Sequence, residues 1–221
     1  MLVKIKRQKD ADSAPYWQTF SVDADPDMTV SALLDRLNYT DDLYDAEGVA
    51  APRIRWECSC SQKMCGACAM VINGVPKLAC AAFLRDEKRD VLTLEPLSKF
   101  PVVADLIVDR SIISENLQKA QAYLGTYRPL RKKDFEQMYA AAKCLKCGLC
   151  LEVCPNYSKG EHFFGALFAN EAARSLPCRA KIVPNRFAKP MISTLPRAAP
   201  RRFPASASAR WRLTRSPLWR G

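Results

Sequence analysis

Several things are scarce in this chain of 221 residues. It has one histidine, eight glycines and no long apolar run. A helix that crosses a bilayer needs about 20 consecutive apolar residues, so no spanning segment is expected. The single His162 lies within Glu161-His162-Phe163-Phe164, with no nucleophile or paired acid nearby. A structural role fits it better than general acid–base work, and no catalytic residue is assigned. The start, Met1-Leu2-Val3-Lys4, alternates apolar and polar residues. A secretory signal would instead place a charged segment before an apolar one.

Acidic residues are missing from one stretch altogether. Residues 172–221 hold 12 Lys/Arg and no Asp or Glu, whereas 1–171 hold 22 basic and 23 acidic residues. The formal net charge of +11 therefore belongs to the last 50 positions, and the near-neutral body is no general polyanion binder. Arg, Ala, Pro and Ser occupy 31 of those 50 positions, seven of them proline. Such a segment buries too little apolar surface to offset its ordering entropy. Residues 174–221 are expected to form a disordered tail. Phe203, Trp211 and Trp219 are interleaved with arginines, a pattern that can stack on single strands or lie on anionic lipid. A solvated tail is the simpler reading, and no specific nucleic acid is expected as a partner.

Cysteine, by contrast, is plentiful. There are ten, and eight fall into two patterns. The first is Cys60-x4-Cys65-x2-Cys68 followed by Cys80, the spacing of plant-type [2Fe–2S] ferredoxins. The second is Cys144-x2-Cys147-x2-Cys150-x3-Cys154-Pro155, the run of bacterial cluster ferredoxins. Thiolates suit such clusters because they are soft, charged donors to iron. Gly66 lets the backbone approach the first cluster closely. A four-cysteine zinc site is the alternative, although zinc motifs favour paired C-x2-C units. Cys58 is read as a free thiol beside the loop, since the spacing from Cys60 is intact, with a substitute-ligand role as the alternative. In the second run, Cys144, Cys147 and Cys150 give three ligands to one cubane. The cysteine before proline, Cys154, serves the other cluster in two-cluster ferredoxins. The remaining ligands should then come from downstream, where the sequence has only Cys178. Reduced, metal-binding thiols and the lack of secretion marks point to an intracellular chain rather than a disulfide scaffold.

The hydrophobic period changes along the chain. Val3 and Ile5 alternate with lysines, as do Gln18, Phe20 and Val22 with Thr19, Ser21 and Asp23, predicting two strands joined by a turn over Asp10 to Pro15. Thr29 is placed to cap a helix carrying Val30, Leu33, Leu34 and Leu37 on one face. Asn73-Gly74 predicts a hairpin joining Ala69–Ile72 to Val75–Ala79, with Cys80 returning on that strand. Val91–Glu95 predicts a last strand before Pro96. Beyond it, Val103, Leu106, Ile107, Ile113, Leu117, Ala120 and Leu124 recur at helical intervals until Gly125. Asp134 is placed to cap a helix with Phe135, Met138, Tyr139 and Ala142. A further helix with Phe163, Leu167 and Phe168 fades near Ala173. The fold class is α+β, with a small sheet domain over 1–100, an α-helical domain built around metal over 101–173, and the tail over 174–221.

These residues together resemble the iron–sulfur subunit of succinate dehydrogenase and fumarate reductase. The likeness rests on Cys60-Ser-Gln-Lys-Met-Cys65-Gly-Ala-Cys68-Ala-Met, Val71-Ile72-Asn73-Gly74, Leu78-Ala79-Cys80, Cys144-Leu-Lys-Cys147-Gly-Leu-Cys150 and Cys154-Pro155-Asn156-Tyr157. Val103-Ala104-Asp105-Leu106-Ile107-Val108-Asp109 is similar to the family's linker helix. The resemblance covers about residues 1–173. It implies a β-grasp ferredoxin domain holding a [2Fe–2S] cluster, then a bacterial-ferredoxin-like domain holding [4Fe–4S] and [3Fe–4S] clusters. It implies that Cys144, Cys147 and Cys150 serve the [4Fe–4S] cluster and Cys154 the [3Fe–4S] cluster. It also implies a flavoprotein partner, a membrane anchor that handles quinone, and a cytoplasmic location on the inner face of the cell membrane. Oxidoreductase activity would belong to the whole complex, with this chain as its electron-transfer subunit.

The family completes its second and third clusters with a further cysteine motif ending in Cys-Pro. Here Cys178 stands alone, preceded by proline. A shift of reading frame near Ala173 accounts for both the missing cysteines and the missing acids, because out-of-frame GC-rich DNA yields Arg, Ala, Pro and Ser. Two alternatives follow: a truncated chain in which only the [2Fe–2S] domain is competent, and a soluble or heterodisulfide-reductase-like electron carrier.

Overall fold

A computed structural model describes residues 1–87, 89–119, 130–158 and 163–175. His162, Cys178, the helical positions Ala120 and Leu124, Gly125 and the tail beyond Ser175 lie outside the described residues.

The chain begins with β1 (Leu2–Arg7), whose alternation buries Val3, Ile5 and Arg7 and turns Leu2, Lys4 and Lys6 outward. It turns back through Asp10, whose Oδ1 accepts from the Asp12 and Ser13 amides, into antiparallel β2 (Tyr16–Ser21). Thr29 then caps α1 (Val30–Asn38), its hydroxyl accepting from the Ala32 amide at 3.2 Å. The helix buries Val30, Leu33, Leu34 and Leu37 in one apolar cluster with Val3, Ile5 and Phe20 of the sheet. Each such side chain, fully buried, contributes about 1.5–3 kcal/mol.

Short β3 (Leu43–Tyr44) and β4 (Ala50–Ala51) pair with each other. Past the first cysteine loop, β5 (Ala69–Ile72) and β6 (Val75–Leu78) form the expected hairpin. Its turn residues Asn73 and Gly74 have φ of 51° and 80°, which is why this dipeptide stands there. Finally β7 (Val91–Glu95) inserts parallel to β1 and antiparallel to β5. The sheet order is β2-β1-β7-β5-β6, a mixed sheet with one helix packed against it.

Three expectations need correction. First, residues 102–108 are not helical. They form a small hairpin of β8 (Val102–Ala104) and β9 (Ile107–Val108), and α2 starts only at Ser111, running to Lys119. Asp105 takes a left-handed φ of 45° and its carboxylate is engaged by the sheet, so the chain must turn there. The flanking Val102, Val103, Ile107 and Val108 suit strands. Second, α3 (Lys132–Ala142) begins ahead of Asp134, which instead sits in the first turn and pairs with Arg131 at 3.0 Å. Its Phe135 and Tyr139 are exposed, with ring centroids 6.2 Å apart. Third, Cys80 lies not on a strand but in a 3-10 turn, Ala79–Ala81, directly after β6.

Two more helices follow, α4 (Leu149–Glu152) and α5 (Gly165–Ser175). A second apolar cluster gathers Leu97, Phe100, Val108, Ile113, Leu151, Tyr157 and Leu167 around Ala69 of the sheet. The helical part thus packs directly on the strand that leaves the first cysteine loop.

Candidate metal centres

The first cysteine loop is bent by local geometry. Ser61, Lys63 and Gly66 have φ of 51°, 65° and 77°. Left-handed non-glycine residues each cost about 1–2 kcal/mol, and they persist where surrounding structure or function demands them. Here they turn successive amides inward. The Gln62 and Met64 amides donate to Cys60 Sγ at 3.4 and 3.2 Å, Lys63 to Cys80 Sγ at 3.3 Å, and Ala67 to Cys65 Sγ at 3.4 Å. Concave nests of N–H groups of this kind stabilise anions and iron–sulfur clusters.

The four thiols fall into two pairs. Cys68 and Cys80, both buried, have sulfurs 3.4 Å apart. The Ala79 amide donates to the Cys68 carbonyl at 3.0 Å, which ties the hairpin's two ends together. Cys60 and Cys65 face each other across the tight 61–64 turn, and the Cys65 thiol is among the groups that favour a charged Cys60. The Gln62 amide, then that of Met64, lowers the Cys60 thiol to about 7. Burial pushes Cys68 up to about 12, with the neighbouring Cys80 thiol adding to it. Among the described residues no three His, Cys, Asp or Glu side chains converge on a single metal-ion position. Paired thiols suit two irons bridged by sulfide; a lone zinc takes its four ligands around one point. The donor set fits a [2Fe–2S] cluster. Cys58 stands beside the loop, its Sγ 3.3 Å from Ser61 Oγ.

The second loop follows α3. Lys146 and Gly148 have φ of 54° and 88°. A Cβ at Gly148 would meet the Phe100 ring at 2.9 Å, so glycine is required there for both space and backbone. Cys144 and Cys147 pack against the second apolar cluster, and Cys150 lies on the more open side of α4. The Cys150 thiol is raised by desolvation, then by the charges of Cys147 and Cys144. Three thiols on one short loop suit three iron corners of a cubane. Cys154 follows α4, its amide donating to the Leu151 carbonyl at 3.2 Å, while Lys99 Nζ donates to its carbonyl. Glu152 fastens α4 to the sheet's exit, accepting from the Ser98 amide and hydroxyl at 2.9 and 2.6 Å and from the Lys99 amide at 3.1 Å.

The two loops touch. A Cβ added to Gly66 would come within 2.7 Å of Cys147 Cβ, 3.2 Å of its Cα and 3.3 Å of Leu145 Cβ. Gly66 therefore provides close approach of the loops as well as a left-handed turn. Sequence reading placed this glycine against its own cluster and missed the neighbouring loop. It also missed Arg110, whose guanidinium donates to the Gly66 and Ala67 carbonyls at 3.1 and 2.7 Å. No local pattern could have flagged that side chain, since its partners lie 44 and 43 residues earlier.

The chain is similar to known iron–sulfur proteins. Residues 2–115 match the 2Fe-2S iron-sulfur cluster binding domain family. The chain is 37% identical over 171 residues to the succinate dehydrogenase iron-sulfur subunit of Bacillus subtilis, covering 73% of this chain and 66% of that protein. It is 34% identical over 178 residues to the fumarate reductase iron-sulfur subunit of Mycobacterium tuberculosis, covering 75% and 67%. A chain of the Mycobacterium smegmatis Sdh1 complex in the apo form shares the fold, with a TM-score of 0.63, 24% identity and coverage of 81% and 76%. The chain spans about two thirds of the length of the curated relatives it matches. With a matching cluster-binding domain and relatives of this similarity, the chain belongs to the family of succinate dehydrogenase and fumarate reductase iron–sulfur subunits.

Proposed function

We propose that this chain is an electron-transfer subunit of a succinate dehydrogenase or fumarate reductase complex, placed between a flavoprotein subunit and a quinone-handling membrane anchor. The observation that carries the reading is the contact between the two cysteine loops at Gly66 and Cys147. A relay needs successive redox groups close together, and nothing but van der Waals contact separates these loops. The mixed sheet with α1 across it supports the β-grasp reading of the first domain. Cys60 and Cys65 would hold one iron of a [2Fe–2S] cluster, and Cys68 and Cys80 the other. Cys144, Cys147 and Cys150 would hold three corners of a [4Fe–4S] cluster. When bound, the clusters would supply one-electron carriers between flavin and quinone.

The protein's own part is to orient and shield. Buried Cys68 and Cys80 keep one side of the first site dry, and the inward amides offset cluster charge. Cys154 would be one ligand of a [3Fe–4S] cluster, whose remaining ligands do not lie among the described residues. No helix among the described residues is long and apolar enough to cross a membrane; a peripheral position on the inner face through the anchor subunit is part of the same proposal.

Anaerobic reconstitution of the full chain with iron and sulfide, read by electron paramagnetic resonance, tests the proposal. A [2Fe–2S] signal that disappears in Cys65→Ser but persists in Cys147→Ser is expected, alongside a cubane signal with the opposite dependence. A lone [2Fe–2S] signal indicates a chain in which only the first site assembles. Zinc retention without any cluster signal overturns the reading.

A further inference from the structure

Arg110 occupies the short step between β9 and α2 and reaches back to the first cysteine loop. Its side chain is 17% exposed. It donates to the carbonyls of Gly66 and Ala67, the two residues between Cys65 and Cys68. Its other partner is Glu57, at 3.3 Å, whose side chain is 46% exposed. Its Nε is buried with no hydrogen-bond partner among the described residues. A buried unpaired donor costs about 1–3 kcal/mol, and such costs are concentrated where a group is held for another purpose.

We propose that Arg110 is a positioning residue that clamps the Cys65–Cys68 loop against the second cysteine loop and raises the reduction potential of the cluster held there. This inference rests on the [2Fe–2S] reading of the first site.

The clamp has two anchors. Three residues beyond Arg110, Ile113 is buried in the second apolar cluster, and its Cδ1 lies 3.8 Å from the Cβ position of Gly148. The arginine thus joins the core that carries Cys144 and Cys147 to the loop that carries Cys65 and Cys68. It holds the carbonyl of the same glycine whose Cα abuts Cys147. The electrostatic effect follows from the partners. Two are neutral carbonyls, and the one carboxylate is half in solvent, where its compensation is screened. A fixed positive charge in a mostly buried position favours whichever state of a neighbour carries more negative charge. Reduction adds one electron to the cluster, so the reduced state gains.

Redox titration of the reconstituted full chain, followed by electron paramagnetic resonance, separates charge from clamp. Arg110→Gln should shift the reduced-to-oxidised ratio at fixed ambient potential about tenfold toward oxidised, which for one electron is about 59 mV. Arg110→Lys keeps the charge without the two-carbonyl fork, and should stay within about threefold of the parent. Glu57→Gln removes the countercharge and should shift the ratio the opposite way. Amide hydrogen exchange at Ala67 and Cys68 should quicken in both Arg110 variants and not in Glu57→Gln. If Arg110→Gln does not fold, the Glu57→Gln shift decides. A cluster whose midpoint ignores the substitutions, or for which lysine behaves as glutamine does, overturns this inference alone. A parent chain that assembles no [2Fe–2S] cluster overturns the functional reading and this inference with it.

Discussion

Replacing Asp105 with alanine removes the acceptor on which two distant segments, Arg7–Gln8 and Arg55, converge. Its carboxylate accepts from Arg7 Nε at 2.9 Å and Nη2 at 3.1 Å, from the Gln8 amide at 3.0 Å and from the Arg55 amide at 2.9 Å. Arg7 and Asp105 are 1% and 4% exposed, so neither can fall back on water. Removing one partner of a buried pair costs about 3–5 kcal/mol, because the other charge stays buried and uncompensated. Asp105→Ala should therefore cost about 3–5 kcal/mol, a large part of the ~5–15 kcal/mol that holds a domain together. Asp105→Asn keeps an acceptor oxygen and tolerates the left-handed backbone, so it should cost clearly less. Adding Arg7→Met to Asp105→Asn should recover stability by removing the stranded charge. Urea unfolding of the reconstituted chain, followed by far-UV circular dichroism, gives the ranking. The reasoning fails if Asp105→Ala lies within about 1 kcal/mol of the parent, or if the alanine and asparagine variants are equal.

Gly66→Ala should sharply reduce iron content at both sites, because the new methyl meets Cys147 Cβ at 2.7 Å on a backbone with φ 77°; iron-to-protein ratios after reconstitution check this, and normal occupancy at both sites would refute it. The Val49 amide, then Gln18, lowers the Asp45 carboxyl below its ordinary 3.8. A lowered acid contributes stability that is present above 3.8 and lost as pH falls through the folded value. Acid titration by NMR should therefore show Asp45 titrating below 3.8 and the Val49 amide exchanging faster once it protonates. Finally, one of the two other reading frames of the gene after codon 173 should encode a cysteine-rich continuation with Cys-Pro; sequencing the locus and finding neither frame open disposes of the frame-shift account.

Local signals carried a good part of the fold. The alternation in β1, the Thr29 cap with its four-residue apolar face and the Asn73-Gly74 turn all act within a few residues, and the structure forms each of them. The linker failed for the opposite reason. Its apolar residues do recur at helical intervals, but the buried Arg7 needed a carboxylate, and Asp105 turned left-handed to supply one. The exposed Phe135 and Tyr139 likewise show that an apolar period records amphipathic spacing without naming the surface it will meet.

The division between the two levels is clearest at the cysteines. Spacing along the chain was enough to group Cys60, Cys65, Cys68 and Cys80, and separately Cys144, Cys147 and Cys150, because ligand loops are short and their chemistry is local. Counting alone leaves Cys178 as the one cysteine of this sequence after Cys154. Tertiary structure decided how these groups meet: which thiols pair, that Gly66 rests on Cys147, and that Arg110 grips the loop between them. The last two of these join residues 43 to 81 positions apart. Their existence depends on how the sheet, the β8–β9 turn and the helical core pack together, and no local pattern in the sequence records that.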